Sequence, residues 1–112
     1  MRAALASVLL VGALNPVAVA LAADALAAPD LARKHGCMSC HGMVRKQVGP
    51  GFAQVAERYR NDTEAPARLA AKIRNGSVGA WGRVIMPRQL QVSEADALVL
   101  AKWVLSQPSP PP

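Results

Sequence analysis

The chain is predicted to fold as an all-α domain of four short helices joined by loops. Three observations predict it. Apolar residues recur at helical spacing in separate segments, helix start and stop residues flank them, and no stretch alternates as a strand would. The first helix begins at Pro29-Asp30, continues through Leu31, Lys34 and His35, and is interrupted by Gly36. Val48 to Phe52 (VGPGF) is turn chemistry, because Gly and Pro together fix and reverse the backbone. Phe52, Val55, Ala56 and Tyr59 then form the apolar face of a second short helix. Asn61 to Pro66 is a loop rich in helix-start residues, and Leu69, Ala70 and Ile73 mark the third helix, which Asn75-Gly76 ends. Gly76 to Gln91 holds Gly76, Gly79, Gly82 and Pro87 without a helical period and is expected to be a long loop of functional importance. Ser93, with Asp96 three residues on, starts the last helix. Leu98, Ala101, Lys102 and Leu105 continue it, with Trp103 on a neighbouring face. The tail, Gln107 to Pro112, is extended and proline-rich, with no packing role apparent.

The chain has 112 residues, enough for one small domain. Its beginning reads as an export leader. Met1-Arg2 is a short positive start, Ala3 to Ala22 is apolar and small, and Ala20-Leu21-Ala22 has the spacing of a cleavage site. A spanning helix needs about 20 apolar residues, but this run is alanine-rich and broken by Gly12 and Asn15-Pro16. The expected organisation is a cleaved signal peptide at 1–22, a domain at 23–107 and a proline-rich tail at 108–112; retention of the leader would instead anchor an otherwise soluble protein. A domain this small has a marginal core of its own. One Phe, one Tyr and two Trp leave that core thin, with room for a large apolar cofactor. The formal net charge is +6. The basic residues are scattered, which favours steering towards an acidic partner. Export and the lack of a basic stripe interleaved with aromatics argue against nucleic-acid binding.

Both cysteines of the chain lie in GCMSCHG, Gly36 to Gly42, with His41 directly after the second. Cys-x-x-Cys-His is the attachment pattern of c-type haem. Two thiols one helical turn apart can add to the two vinyl groups on one edge of a porphyrin, and the next histidine then sits under the iron. Three alternatives compete. A thiol-redox pair would suit a thioredoxin-like βαβ pattern, and no strand is visible. Structural zinc normally draws its ligands from two separated knuckles, whereas Cys37, Cys40, His41 and His35 crowd into seven residues. A disulfide is allowed in an exported protein but leaves His41 unexplained.

Haem iron with His41 on one side calls for a second ligand, and a methionine thioether is a frequent partner that raises the potential. Met1 leaves with the leader, Met38 lies inside the cysteine loop, and Met43 follows His41 too closely to reach the other face. Met86, in VIMPR on the long loop, can reach it, and Pro87 stiffens the approach. His35 competes as a ligand but reads better as a surface histidine.

GCMSCH, VGPGF, KIRNGSVGAWGRVIMP and LAKWVLSQ, spread over Leu31 to Gln107, resemble the small class I bacterial cytochromes c of the cytochrome c-551 group. The resemblance implies the class I cytochrome c fold, four short helices wrapped around one covalently bound haem c. It also implies a monohaem, periplasmic, monomeric electron carrier and not an enzyme. Expected partners are redox proteins: a donor of the quinol–cytochrome c reductase type, and a nitrite reductase (as in denitrification), cytochrome oxidase or peroxidase as acceptor. By the same resemblance, the Pro50 carbonyl accepts the Nδ1–H of His41, which orients the ligand, and Trp81 hydrogen-bonds a haem propionate. Lys72 falls where the family often has an arginine near the other propionate; a lysine lacks the bidentate fork. The family commonly reads Pro-Pro and then Asn or Gln after the methionine, whose amide contacts the sulfur. Here the segment is Pro87-Arg88-Gln89 and one residue longer before Ser93, so Gln89 is the candidate for that contact.

With His41 and Met86 both bound, the iron has no open position, which argues against chemistry on oxygen or peroxide. Docking is expected at the haem edge around Met38, Val48 and the Met86 loop, ringed by Arg45, Lys46, Arg83 and Arg88. The competing reading is a haem-based sensor or ligand-binding module in which Met86 is displaceable.

Overall fold

The computed structural model describes residues 12–13 and 15–112; the positive start of the leader and half of its apolar run lie outside them. Four α-helices are present among the described residues: α1 Pro16–Lys34, α2 Phe52–Arg58, α3 Ala65–Asn75 and α4 Glu94–Leu105. A 3-10 turn, Cys37–Ser39, follows α1. Two short strands, β1 Ser77–Val78 and β2 Ile85–Met86, lie between α3 and α4.

Three expectations change. The first helix starts at Pro16 and not at Pro29, and runs for 19 residues. Asn15 accepts a hydrogen bond from the Val17 amide at 3.2 Å, Pro16 opens the helix, and alanine, the strongest helix former, fills it. The sequence reading took Pro29 for a start, but the helix carries it inside. Among the α1 residues whose burial is described, the first buried one is Ala28, and the last two turns, from Ala28 on, belong to the packed domain. Among the described residues, no helix is long and apolar enough to cross a membrane.

The second change is in the long loop. It contains an antiparallel ladder that pairs Ser77 with Met86 and Val78 with Ile85. Two-residue strands are too short for alternation to register in the sequence. Gly76 makes the junction possible. Its φ is +79°, and a Cβ there would lie 2.8 Å from the Met86 carbonyl oxygen, so only glycine fits. The third change is in the tail. Ser109 docks on α2, with its hydroxyl 2.7 Å from Glu57 Oε2 and 2.6 Å from an Arg60 Nη2 donor.

The remaining boundaries follow their capping chemistry. Ser93 Oγ accepts from the Asp96 amide at 3.1 Å and starts α4. Asp62 accepts from the Glu64 amide at 3.0 Å ahead of α3. Gln54 Oε1 accepts from the Gly51 amide at 2.8 Å and fixes the entry to α2.

Helix α4 is the hub against which α1, α2 and α3 all pack. Ala32 of α1 meets Ala97 and Leu100 of α4, with Val92 beside them; Leu31, Ile73 and Trp103 close this cluster. Small residues at the crossing let the helix backbones approach. A second cluster joins Phe52, Val55 and Val104, with Tyr59, Leu69, Trp81 and Trp103 around it. The largest fully buried side chain is only a valine, Val92. These thin clusters are the walls of a pocket and not a filled centre.

Candidate functional site

The pocket opens between the two clusters. Its empty space is about 1230 Å³ including the open mouth, and its walls are mostly apolar, with Leu69, Ile73, Leu100 and Trp103 among them. Cys37, Cys40, His41 and Met86 all line it, as do Pro50, Trp81, Lys72 and Gln89.

Gly36, at φ +71°, breaks α1 and turns the chain into the 3-10 turn. The His41 amide closes that turn on the Cys37 carbonyl at 3.0 Å, which sets both thiols on the same side as the pocket. Cys37 and Cys40 are not bridged to each other. Burial pushes the Cys37 thiol up, partly opposed by a backbone hydrogen bond. A catalytic redox thiol needs the opposite shift, so the thiol-exchange reading loses ground. Zinc fares no better: among the described residues, no three His, Cys, Asp or Glu side chains gather as a metal site.

His41 is held on three sides. Its Nδ1 lies 2.7 Å from the Pro50 carbonyl oxygen, an acceptor only, so Nδ1 carries the proton and Nε2 keeps a lone pair. Its ring stacks on Phe52 with centroids 5.1 Å apart and planes 22° apart. Gly49 lies so close that a Cβ on it would sit 2.9 Å from Cε1 of the imidazole. The turn that achieves this is tied down by Val48 and Gly49 amides, both donating to the Cys40 carbonyl, at 3.1 and 2.8 Å. Gly51 completes it, because a Cβ there would collide with the Val44 carbonyl at 2.3 Å.

Met86 enters from β2, which is anchored by its pairing to Ser77 and, beyond it, by the Gln89 amide donating to the Ile73 carbonyl at 3.1 Å. The other described methionines lie elsewhere: Met38 packs on the Phe52 cluster and Met43 is 40% exposed. Gln89 lines the pocket, but its side-chain amide donates to the Pro87 carbonyl at 3.2 Å and its oxygen accepts from Gln91 at 2.8 Å. Lys72 is half-buried at the pocket wall. His35, read as a surface histidine, is also half-buried there, and its Nε2 is buried without a hydrogen-bond partner.

Sequence reasoning missed two contributors. Gly49 was seen as turn chemistry alone, although a glycine between Val48 and Pro50 was the available signal. Arg58 was not singled out. Its guanidinium lies 4.4 Å from the Trp81 ring centroid, and no sequence pattern marks an exposed helix arginine as a neighbour of that loop.

These observations fit a flat, apolar prosthetic group. The space is large, the walls are apolar, one imidazole nitrogen is free, and an orphaned polar atom faces inward. Comparison with known proteins agrees. The Cytochrome c family model matches residues 25–108. Cytochrome c-552 of Nitrosomonas europaea is 43% identical over 89 residues, covering 80% of this chain and 86% of that protein. Cytochrome c-552 of Hydrogenobacter thermophilus is 46% identical over 88 residues, covering 79% and 89%. Cytochrome c-551 of Pseudomonas aeruginosa is 46% identical over 77 residues, covering 69% and 73%. The crystal structure of the Nitrosomonas cytochrome superposes with a TM-score of 0.69 over 70% of this chain and 98% of that one, at 43% identity. The pocket, the Cys-x-x-Cys-His turn and these likenesses lead to one conclusion: the chain belongs to the cytochrome c family, as a small class I c-type cytochrome that carries one covalent haem c and transfers electrons without being an enzyme.

Proposed function

We propose that the chain is an exported, periplasmic single-electron shuttle whose haem is anchored by Cys37 and Cys40 and whose iron is held by His41 and Met86. The observation that carries this reading is the shared pocket. His41 and Met86 come from elements far apart in the chain, yet both line it, and His41 has its Nδ1 already engaged. When bound, haem c supplies one-electron exchange between Fe(II) and Fe(III). The residues of the chain do the rest. The Pro50 carbonyl fixes the His41 tautomer and strengthens Nε2 as a donor. The apolar walls exclude water and so disfavour added charge in the pocket. Trp81 and Lys72, on the pocket wall, would contact the haem carboxylates, and Gln89, on the same wall, would close the Met86 side.

Electrons enter and leave at the mouth. Val48 and Ile85 line the pocket yet are 53% and 62% exposed. Arg45, Lys46, Arg83 and Arg88 are exposed on the same two loops. A small apolar rim with basic flanks suits brief encounters with acidic partners. The fitting partners are a quinol–cytochrome c reductase type of donor and a nitrite reductase, oxidase or peroxidase as acceptor. Export follows from the leader at 1–22, and the domain match, which begins at residue 25, supports a mature domain at 23–107 followed by the 108–112 tail.

Replacing the methionine tests the ligand pair. Met86→Ala is expected to keep the haem attached and to lower the midpoint potential in a voltammetric titration. An unchanged potential would assign the second ligand elsewhere, and a protein whose Met86 gives way to an incoming ligand would be a sensor.

A further inference from the structure

Arg58 takes no part in the scheme above, yet it reaches across to the loop that delivers Met86. Its guanidinium carbon lies 4.4 Å from the Trp81 ring centroid and 5.7 Å from that of Tyr59. Both rings line the haem pocket. A guanidinium within about 6 Å of an aromatic face is attracted by the ring quadrupole. Arg58 Nη1 also donates to the Ala80 carbonyl, the residue before Trp81. One side chain of α2 thus holds both the backbone and the side chain at the far end of the β1–β2 connection.

Apart from the packing of Trp81 on the Phe52 cluster, little else holds that end. The ladder is two residue pairs long. Gly79 and Gly82, either side of Ala80-Trp81, both have φ of +81° and have nothing within 4 Å of where a Cβ would be. Val78 is 74% exposed. The base of the hairpin is fixed instead, through Gly76 at the end of α3 and the Gln89 amide on Ile73. A ligand loop fixed at its base is held at its tip through Trp81, which packs on the Phe52 cluster beneath and is clamped by Arg58 from α2.

We propose that Arg58 is a positioning residue, a pin that clamps Trp81 and the 77–86 hairpin onto α2 and thereby keeps Met86 at the pocket. Lysine in its place would retain the charge but lack the planar group that stacks and donates in a fixed direction. The pin rests on the His41/Met86 reading for its effect at the iron, but not for its effect on the loop, so two readouts separate the ideas.

The first readout is amide hydrogen exchange of residues 78–86 in the holoprotein, and the second is displacement of Met86 by added imidazole, followed by optical titration. A cation–π contact and one hydrogen bond to a charged donor together hold the closed loop by roughly tenfold. Arg58→Ala is expected to speed exchange in 78–86 about tenfold and to tighten imidazole binding by a similar factor. Arg58→Lys should recover only a small part of each, and it carries the test if the alanine variant does not assemble. Arg60→Ala removes a neighbouring charge just beyond the end of the same helix and should leave both readouts unchanged. Exchange at the wild-type rate in Arg58→Ala, or full recovery in Arg58→Lys, would overturn the pin. Faster exchange in Arg58→Ala, with imidazole binding equally well to wild type and variant, would overturn the hold of the pin on Met86, whereas imidazole binding without any methionine-to-iron band to displace in wild type would remove Met86 as the ligand and leave the clamp on the loop.

Discussion

At the scale of single residues, the His41 environment is the most constrained part of the chain. Its imidazole has a carbonyl acceptor at 2.7 Å, an aromatic plate and a glycine with no room for a methyl group. Gly49→Ala would press a Cβ into the ring at 2.9 Å from Cε1. Because the ring is stacked on Phe52, it can yield only by turning away from Pro50. Loss of that hydrogen bond weakens His41 as a donor, which disfavours Fe(III). The expected outcome is a holoprotein destabilised by about 1–3 kcal/mol, the usual cost of overpacking, with a raised midpoint potential; thermal melts and voltammetry measure the two. Cys37, Cys40, His41 and Met86 could be singled out in the sequence because the chemistry proposed for them is tied to residue type and spacing, and all four line the pocket. Gly49 and Arg58 were not, because their roles depend on which atoms approach them in space. His35 was misread for the same reason: a histidine after Lys34 looks exposed until the turn at Gly36 brings its Nε2 under cover.

At the scale of elements, the three later helices are placed by local signals, and each boundary is set by a cap or a turn that the sequence displays. The hairpin is different. Its strands are two residues each and its existence depends on Gly76, whose positive φ also clears the Met86 carbonyl. Gly76→Ala would incur both backbone strain and a close contact. A loss of about 1–3 kcal/mol is expected, together with easier loss of the methionine ligand, read by denaturant titration followed at the haem band. The start of α1 was missed because alanine-rich sequence propagates a helix through Pro29 once Asn15 and Pro16 have begun it. The tail was also misread. The Ser109 hydroxyl first and Arg60 second hold the Glu57 carboxyl below its usual range. A carboxyl depressed in the folded state contributes stability above its unfolded pKa and loses it as pH falls through the folded value. Tail docking should therefore be intact at neutral pH and release in acid. Ser109→Ala should move the Glu57 titration upward, as followed by carboxyl NMR shifts.

At the scale of the whole molecule, a thin alanine- and valine-based core and a net charge of +6 belong to the same design. The pocket replaces a filled centre, so the apoprotein should be much less stable than the holoprotein, as heat-unfolding of the two forms would reveal. The charge should act on encounter and not on the fold. With an acidic redox partner, the bimolecular electron-transfer rate is expected to fall steeply as salt rises across the range where the Debye length shrinks from about 30 to 8 Å. Charge reversal at Arg88 should flatten that slope. Fold class was legible at this scale because helical periodicity and an absence of strand patterning are properties of long windows. The pocket volume was only implied, by the shortage of large side chains.

The central claim is that His41 and Met86 together close the iron. The most direct measurement is the visible and near-infrared spectrum of the oxidised wild-type holoprotein, which carries a methionine-to-iron(III) charge-transfer band only when the thioether is bound. The account predicts that band at neutral pH and its loss in Met86→Ala. A wild-type protein without the band, or a Met86→Ala protein that retains it, would contradict the account.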